Sequence, residues 1–484
     1  MSEKEQETEK VEPHESQPIV SSPPMTDTHI KQLEVLEQSS NFDEIMEDID
    51  NLAEATQTEN TIDLSAPPVD EISQPIVHEK PLSNDAVTEH TASLWKYLPV
   101  PETIPEPSPE YKNDTAIFPK SRVTAARVRG KKHKHEGSNC DDWYEIANFE
   151  DMTFIAVSDG AGSKKYSRIG ARVSCKASVG YLLKSIGEQV IKNPDFRKSL
   201  SLPLSEPSCA AVCRTLAEIV QQATVKGAEA VESAYYERFA DKNYYQDLKR
   251  SLQINDFSAT LLLTAVIPIS EETKEVLVIT CQVGDGMAAL VNTNGKFDTA
   301  VKLMGAAESG AFSGETVFLT SLPMNTMDAL QKRTKIFRGV ADTLLIMTDG
   351  VADDYFPNET ELRRLYFDLI ANGIIDNKTP IAPTGAFTIE QQRLLEKLPV
   401  PLSYPWVNDR NIKYALHDTK RICEATGLSM KDIWADDTVL ALAAAESDVT
   451  NSAEDHSERL KIWLDNYVER GSFDDRTLVI VQIM

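Results

Sequence analysis

Met152-Thr-Phe-Ile-Ala-Val-Ser158 is a short apolar run that ends on Asp159-Gly160, and Leu344-Leu-Ile-Met-Thr348 repeats the pattern before Asp349-Gly350. Each reads as a buried strand. A third run, Leu277-Val-Ile-Thr-Cys-Gln-Val283, reaches Asp285-Gly286 after one more residue. Asp-Gly is a common tight-turn pair, and a hairpin explains Asp285, because strand patterns precede and follow it. A loop and then a helical pattern follow Asp159 and Asp349, from Lys164 and Asp353 onward, so a hairpin does not explain those two. Carboxylates gathered at the ends of buried strands repel one another unless they are protonated or bridged by cations. Hard ions such as Mg²⁺ or Mn²⁺ prefer such all-oxygen sites, and a pair of them can activate water and clamp a phosphoryl group.

Outward from these runs, further β-rich segments lie at 257–267, 276–284, 287–292, 315–320, 343–348 and 477–483. Helical patterns occupy 167–192, 208–250, 359–372 and 454–469. Several strands follow one another through short turns, which predicts an α+β fold with antiparallel sheet rather than a βαβ alternation. Residues 373–450 carry five prolines between Pro380 and Pro405 and read as loops, with a short helical run at 416–434.

The formal charge is -27, and the first 120 residues hold 26 acidic against 7 basic side chains, so most of the excess lies there. That balance argues against nucleic acid as a partner. Residues 1–120 are also rich in Pro, Glu, Ser and Thr, a composition that buries too little apolar surface to order a chain, so a disordered region is expected. Within it, Phe42, Ile45, Met46, Ile49 and Leu52 recur at helical spacing behind Ser40. Ser-Gln-Pro-Ile-Val occurs at 16–20 and again at 73–77, and 95–109 reads as an extended Pro-rich linker. A folded domain is expected over 121–484. The six cysteines are scattered without zinc spacing and read as reduced, mostly buried thiols. No signal peptide or membrane span is visible, so a cytoplasmic location is expected, with no membrane partner.

Six segments in order carry a resemblance: Asn139-Cys-Asp-Asp142, Ala156-Val-Ser-Asp159-Gly-Ala-Gly-Ser163, Phe257-Ser-Ala-Thr260, Val283-Gly-Asp285-Gly286, Leu345-Ile-Met-Thr-Asp349-Gly-Val-Ala-Asp353 and Phe473-Asp474-Asp475-Arg-Thr-Leu478. Over 121–484 the chain resembles the metal-dependent serine/threonine phosphatases of type 2C, bacterial members in particular. The resemblance implies a sandwich of two antiparallel β-sheets flanked by helices, with two Mg²⁺ or Mn²⁺ ions at one end. It implies that Asp159 bridges the two ions, that the Gly160 carbonyl binds one, and that Asp349 and Asp474 bind the other. Asp141 and Asp142 match an acidic pair that acts largely through metal-bound water, and Asp475 supports the site. Asp285 and Asp353 match residues that hold a weaker third ion. Asp436-Asp437-Thr438 competes for the last motif, because it too places an acidic pair before a β-rich run; the Asp474 spacing fits better.

The implied reaction is hydrolysis of phosphoserine or phosphothreonine by a metal-activated water, without a phosphoenzyme. One departure is visible: many relatives carry an Arg that holds phosphate four residues before the acidic pair, where this chain has Gly137. The basic segment 129–135 offers a substitute from a loop, and His133 is the candidate for substrate contact or proton transfer. Expected partners are a phosphorylated protein substrate and a cognate Ser/Thr kinase, and a monomer is expected. The rival readings are a non-catalytic phosphoprotein-binding module and a regulatory scaffold acting through the acidic tail.

Overall fold

In the computed structural model, residues 95–484 are described apart from 246–247, 249, 271–273, 306–315, 322–325, 380, 382–386, 403–413, 452–454 and 468–472. The helical pattern at 42–52, the pentapeptide repeats and the expectation of disorder before residue 95 lie outside the described residues. Eleven strands are described: β1 (Tyr111–Phe118), β2 (Ser121–Val128), β3 (Trp143–Phe149), β4 (Met152–Ser158), β5 (Leu261–Ser270), β6 (Glu275–Val283), β7 (Met287–Val291), β8 (Val301–Leu303), β9 (Thr334–Val340), β10 (Thr343–Met347) and β11 (Arg476–Ile483). They form two antiparallel sheets, in the orders β1-β2-β11-β10-β7-β8 and β3-β4-β5-β6-β9.

Side chains alternate across a strand, so each sheet has two faces to bury. Ile155 and Val157 of β4, Leu344 and Ile346 of β10, and Val479 and Val481 of β11 share one cluster between the sheets. The alternate residues face outward onto helices. Phe154 and Ala156 pack with the helices Ser167–Lys192 (α1) and Pro207–Arg238 (α2). Leu345, Met347, Leu478 and Ile480 pack with Asn358–Ala371 (α3), Thr438–Asn451 (α4) and His456–Asn466 (α5). The result is the expected α+β sandwich, layered helix–sheet–sheet–helix. Each fully buried Leu, Ile or Phe contributes about 1.5–3 kcal/mol, and these clusters give the fold the reserve to hold carboxylates out of water at one end.

Several expectations are corrected. β1 pairs along its whole length with β2, from Tyr111↔Val128 to Phe118↔Ser121, so paired strand lies ahead of the boundary expected at residue 121. β1 is an edge strand with half-exposed Lys, Asn and Asp, which hides it in a polar segment. Residues 317–320 form no strand. The basic segment expected as a loop contains the helix Lys131–Glu136. The Thr438 run is α4, not a strand, and Asp437 accepts from the backbone N–H of Lys378 (2.8 Å) and Thr379 (3.0 Å) instead of opening a sheet. None of the six cysteines is in a disulfide, and five are buried, as expected. No helix among the described residues is long and apolar enough to cross a membrane.

Candidate metal centre

The antiparallel register sets Trp143 opposite Ser158 and Met347 opposite Leu478. Residues just before β3 and β11 therefore fall at the same rim as residues just after β4 and β10. Asp142, Asp159, Asp349 and Asp474 occupy those places, and Asp285 lies in the β6–β7 turn. One carboxylate oxygen from each of Asp159, Asp285 and Asp349 lies within 4.8 Å of the other two. The hairpin reading of Asp285 is corrected: β6 and β7 belong to different sheets, so the turn at Asp285 carries the chain from one sheet to the other. Its side chain accepts from Thr316 Oγ1 (2.5 Å), and its other oxygen is buried without a hydrogen bond among the described residues.

Close packing fixes the backbone around these groups. A Cβ on Gly160 would stand 2.6 Å from the Asp141 carbonyl oxygen, and one on Gly350 would overlap the Asp475 carbonyl. Asp159 is tied to the motif at 257–260, since its N–H donates to Thr260 Oγ1 (2.9 Å) and its carbonyl accepts from the Thr260 N–H (2.8 Å). Asp142 is fully buried, with one oxygen accepting from Thr348 Oγ1 (2.9 Å) and Thr477 Oγ1 (2.6 Å). Its other oxygen has no hydrogen-bond partner among the described residues.

The electrostatics follow from crowding. Burial, then repulsion from Asp349, Asp142 and Asp474, pushes the Asp159 carboxyl well above its ordinary range. Burial and Asp285 do the same to Asp349. Burial and the charge of Asp475 raise Asp142 to about 7, although the two threonine hydroxyls oppose the shift. Asp353 does not join the trio of carboxylates; partial desolvation of its carboxyl, then the charge of Asp285, raises it. A rim that resists ionisation, with two carboxylate oxygens buried and unpartnered, suits hard divalent cations with oxygen ligands.

A second group sits beside the first. His133, Asp474 and Asp475 each bring one ligand-type atom within 4.8 Å of the others. Asp475 is the anchor. It accepts from the N–H groups of Gly130 (2.5 Å) and Asp141 (2.5 Å) and lies 2.9 Å from His133 Nδ1. Burial works against the ionised forms of both partners, but their mutual attraction holds Asp475 below its usual range and raises His133 to about 10. The imidazole is buried, and its Nε2 stands 3.9 Å from Asp474 Oδ1.

A family model described as protein phosphatase 2C matches residues 129–376, just over half of the chain. The chain belongs to this family. No curated protein matches it. Among solved structures, a serine-threonine phosphatase 2C from Toxoplasma gondii is 12% identical, over 78% of this chain and 100% of that one, with a TM-score of 0.35. The serine/threonine phosphatase Stp1 from Staphylococcus aureus is 12% identical, over 80% and 98%, with a TM-score of 0.29. RsbX in complex with magnesium is 11% identical, over 77% and 100%, with a TM-score of 0.28.

Within this protein phosphatase 2C chain, the Gly137 departure has a local cause. Gly137 ends the helix Lys131–Glu136 at φ 73°, in the left-handed region, and a Cβ there would meet the Pro99 carbonyl at 3.3 Å. The basic segment does not form a free phosphate grip. Arg129 donates to the carbonyls of Leu98 (2.8 Å) and His133 (2.7 Å), Lys131 is buried, and Lys134 pairs with Asp465. Lys132 is exposed and places positive charge near Asp474, while Arg168 does so near Asp141. Sequence reasoning missed the roles of Thr348, Thr477 and Arg168. A Thr one residue before Asp349 and another two after Asp475 were the available signal.

Proposed function

We propose that this chain is a metal-dependent protein serine/threonine phosphatase. The observation that carries the reading is the trio Asp159, Asp285 and Asp349, gathered within 4.8 Å beside the buried, half-unpartnered Asp142. Asp159, Asp349, Asp474 and the Gly160 carbonyl would hold two Mg²⁺ or Mn²⁺ ions, with Asp142 acting through water. Asp285 would join this main set, and Asp353 would serve a weaker third ion. Bound there, the cations supply Lewis acidity that activates water and neutralises charge on a phosphoryl group.

The chain's own residues do the positioning. Thr348 and Thr477 fix one oxygen of Asp142 and leave the other aimed away from them. Asp475 ties the Asp474 turn to the Asp141 backbone and to His133. Its burial and its ion pair with Asp475 support a positioning role for His133 beside the proton transfer expected from its place in the sequence. Lys132 and Arg168 add positive potential at the rim for a dianionic substrate.

The test is release of phosphate from phosphoserine, phosphothreonine and phosphotyrosine peptides with Mn²⁺ or Mg²⁺, and again with EDTA. Turnover confined to the first two peptides and abolished by EDTA is expected. Unchanged turnover by a well-folded Asp159→Ala protein would sink the assignment. Gly137 favours one second reading, a module that binds phosphoprotein without hydrolysing it. Metal-dependent peptide binding with no phosphate release would select it.

A further inference from the structure

Residues 95–110 run as a strap along the edge of the carboxylate rim. At one end Trp95 packs on Phe473, ring centroids 4.8 Å apart, next to Asp474. Toward the other end the Ser108 N–H donates to Asn139 Oδ1 (2.9 Å), two residues before Asp141. Between them Arg168 donates to the carbonyls of Pro105 (2.6 Å) and Glu106 (2.9 Å). Prolines at 99, 101, 105, 107 and 109 leave the strap few N–H groups with which to join a sheet.

The side chain of Glu106 is gripped from several sides. Arg172 of α1 pairs with one of its oxygens. Arg238 of α2 (Nε, 2.6 Å) and Tyr244 Oη (2.5 Å) donate to the other. These contacts hold the carboxyl at about 2, against the cost of burial. Two features mark this as more than a surface ion pair. Glu106 is held at φ 48°, a left-handed conformation that side-chain-bearing residues adopt rarely. The grip also carries more charge than its occupant: two guanidiniums face one carboxylate, and Glu106 is the only carboxylate within ion-pair distance of Arg172 among the described residues. The exposed Glu237 reaches Arg238 alone, at 3.2 Å.

A phosphomonoester dianion matches that arrangement better than a carboxylate. It carries nearly twice the charge and three acceptor oxygens, and guanidiniums bind it in paired, directional hydrogen bonds. We propose that Arg172, Arg238 and Tyr244 form an anion-binding cradle that Glu106 fills from within the chain, and that a phosphomonoester on a protein ligand displaces Glu106 and lifts the strap. Displacement frees Glu106 from its left-handed conformation and loosens the contact at Asn139. The cradle shares no residue with the carboxylate rim, so it stands or falls separately from the phosphatase reading.

The test measures binding without turnover, on the full chain in EDTA, by titration calorimetry. The probes are inorganic phosphate, a phosphoserine peptide and its unphosphorylated counterpart. Removing the internal competitor with Glu106→Ala should tighten phosphate and phosphopeptide binding at least tenfold over wild type, with no gain for the plain peptide. Adding Arg172→Ala and Arg238→Ala should cancel the gain. If Glu106→Ala does not fold, Glu106→Gln keeps the shape, lowers the charge and is read in the same way. Tightening for phosphate but not for the peptide would restrict the cradle to a free anion and overturn the protein-ligand claim. Equal affinity in wild type and the Glu106 variants, or a gain that survives loss of both arginines, would overturn the cradle itself.

Discussion

His133 Nδ1 lies 2.9 Å from Asp475 Oδ2, with both side chains buried, and this pair joins the helix Lys131–Glu136 to the turn that opens β11. Asp475 spends its remaining capacity on the N–H groups of Gly130 and Asp141, so one carboxylate fixes three chain segments around Asp474. Removing one partner of a buried pair leaves an uncompensated charge, which costs about 3–5 kcal/mol. His133→Ala should lower stability by that order in urea unfolding and weaken Mn²⁺ binding in calorimetry. A variant as stable as wild type, with undiminished Mn²⁺ affinity, would show that the pair carries neither load.

Crowded carboxylates make opposite demands on the metal-free and metal-loaded protein. Asp159 is disfavoured as an anion by burial and by Asp349, so Asp159→Asn relieves repulsion when no cation is present. In EDTA this variant should melt at or above the wild-type temperature. With Mn²⁺ the wild type should gain stability by mass action and the variant should gain little. Phosphatase activity should fall by roughly 10²-fold or more, about 3 kcal/mol of barrier. Melting curves with and without Mn²⁺ decide the matter. A large drop for the variant in EDTA would mean that the aspartate is structural.

How much of this was legible beforehand depends on which residues carried the signal. β4 and β10 are buried on both faces, so Met152–Ser158 and Thr343–Met347 read as unbroken apolar runs. α1 spans Ser167–Lys192, the range its periodicity predicts. β1, β2, β3, β8 and β9 escape the sequence reading; all but β2 are edge strands, and Tyr111–Phe118 and Thr334–Val340 carry Lys, Asn, Asp or Arg among their apolar residues. The site shows the same division. Asp159 and Asp349 announce themselves at strand ends, whereas the pairing of Asp475 with His133 spans 342 positions and exists only once β11 inserts between β2 and β10. Gly137 departs from the resemblance in sequence, and only its left-handed φ at the end of the helix Lys131–Glu136 shows why glycine fits there.

Far from the rim, His417 makes stability depend on pH. It is buried, its backbone N–H donating to Asn372 Oδ1 (3.0 Å), and burial followed by the charge of Arg421 lowers its imidazole from 6.5 to about 4. The half-buried Glu446 stands 3.6 Å from Nε2. The unfolded chain takes up its proton first, near 6.5, so the folded state loses stability as pH falls from 6.5 toward 4 and keeps it above 6.5. The loss from this group is at most about 3 kcal/mol. Urea midpoints of wild type and His417→Gln at pH 7.5 and 4.5 measure it. The difference between the two pH values should shrink in the variant, and an equal difference in both proteins would exclude His417 as the source.

The ordered edge of the domain can be located by truncation. Tyr111–Phe118 covers the outer edge of β2, and the strap before it holds Arg168, Arg172 and Arg238 through Pro105 and Glu106. Starting the chain at Trp95 keeps all of these contacts. Starting it at Ser121 removes β1, bares the N–H and C=O groups along β2, and leaves three arginines without those partners. The first truncation should melt within a few degrees of the full chain and unfold in one transition. The second should be destabilised by several kcal/mol or fail to stay soluble. Thermal melts and size-exclusion profiles of both proteins report the outcome. A Ser121 start as stable as a Trp95 start would restore the boundary at residue 121 that composition alone suggests.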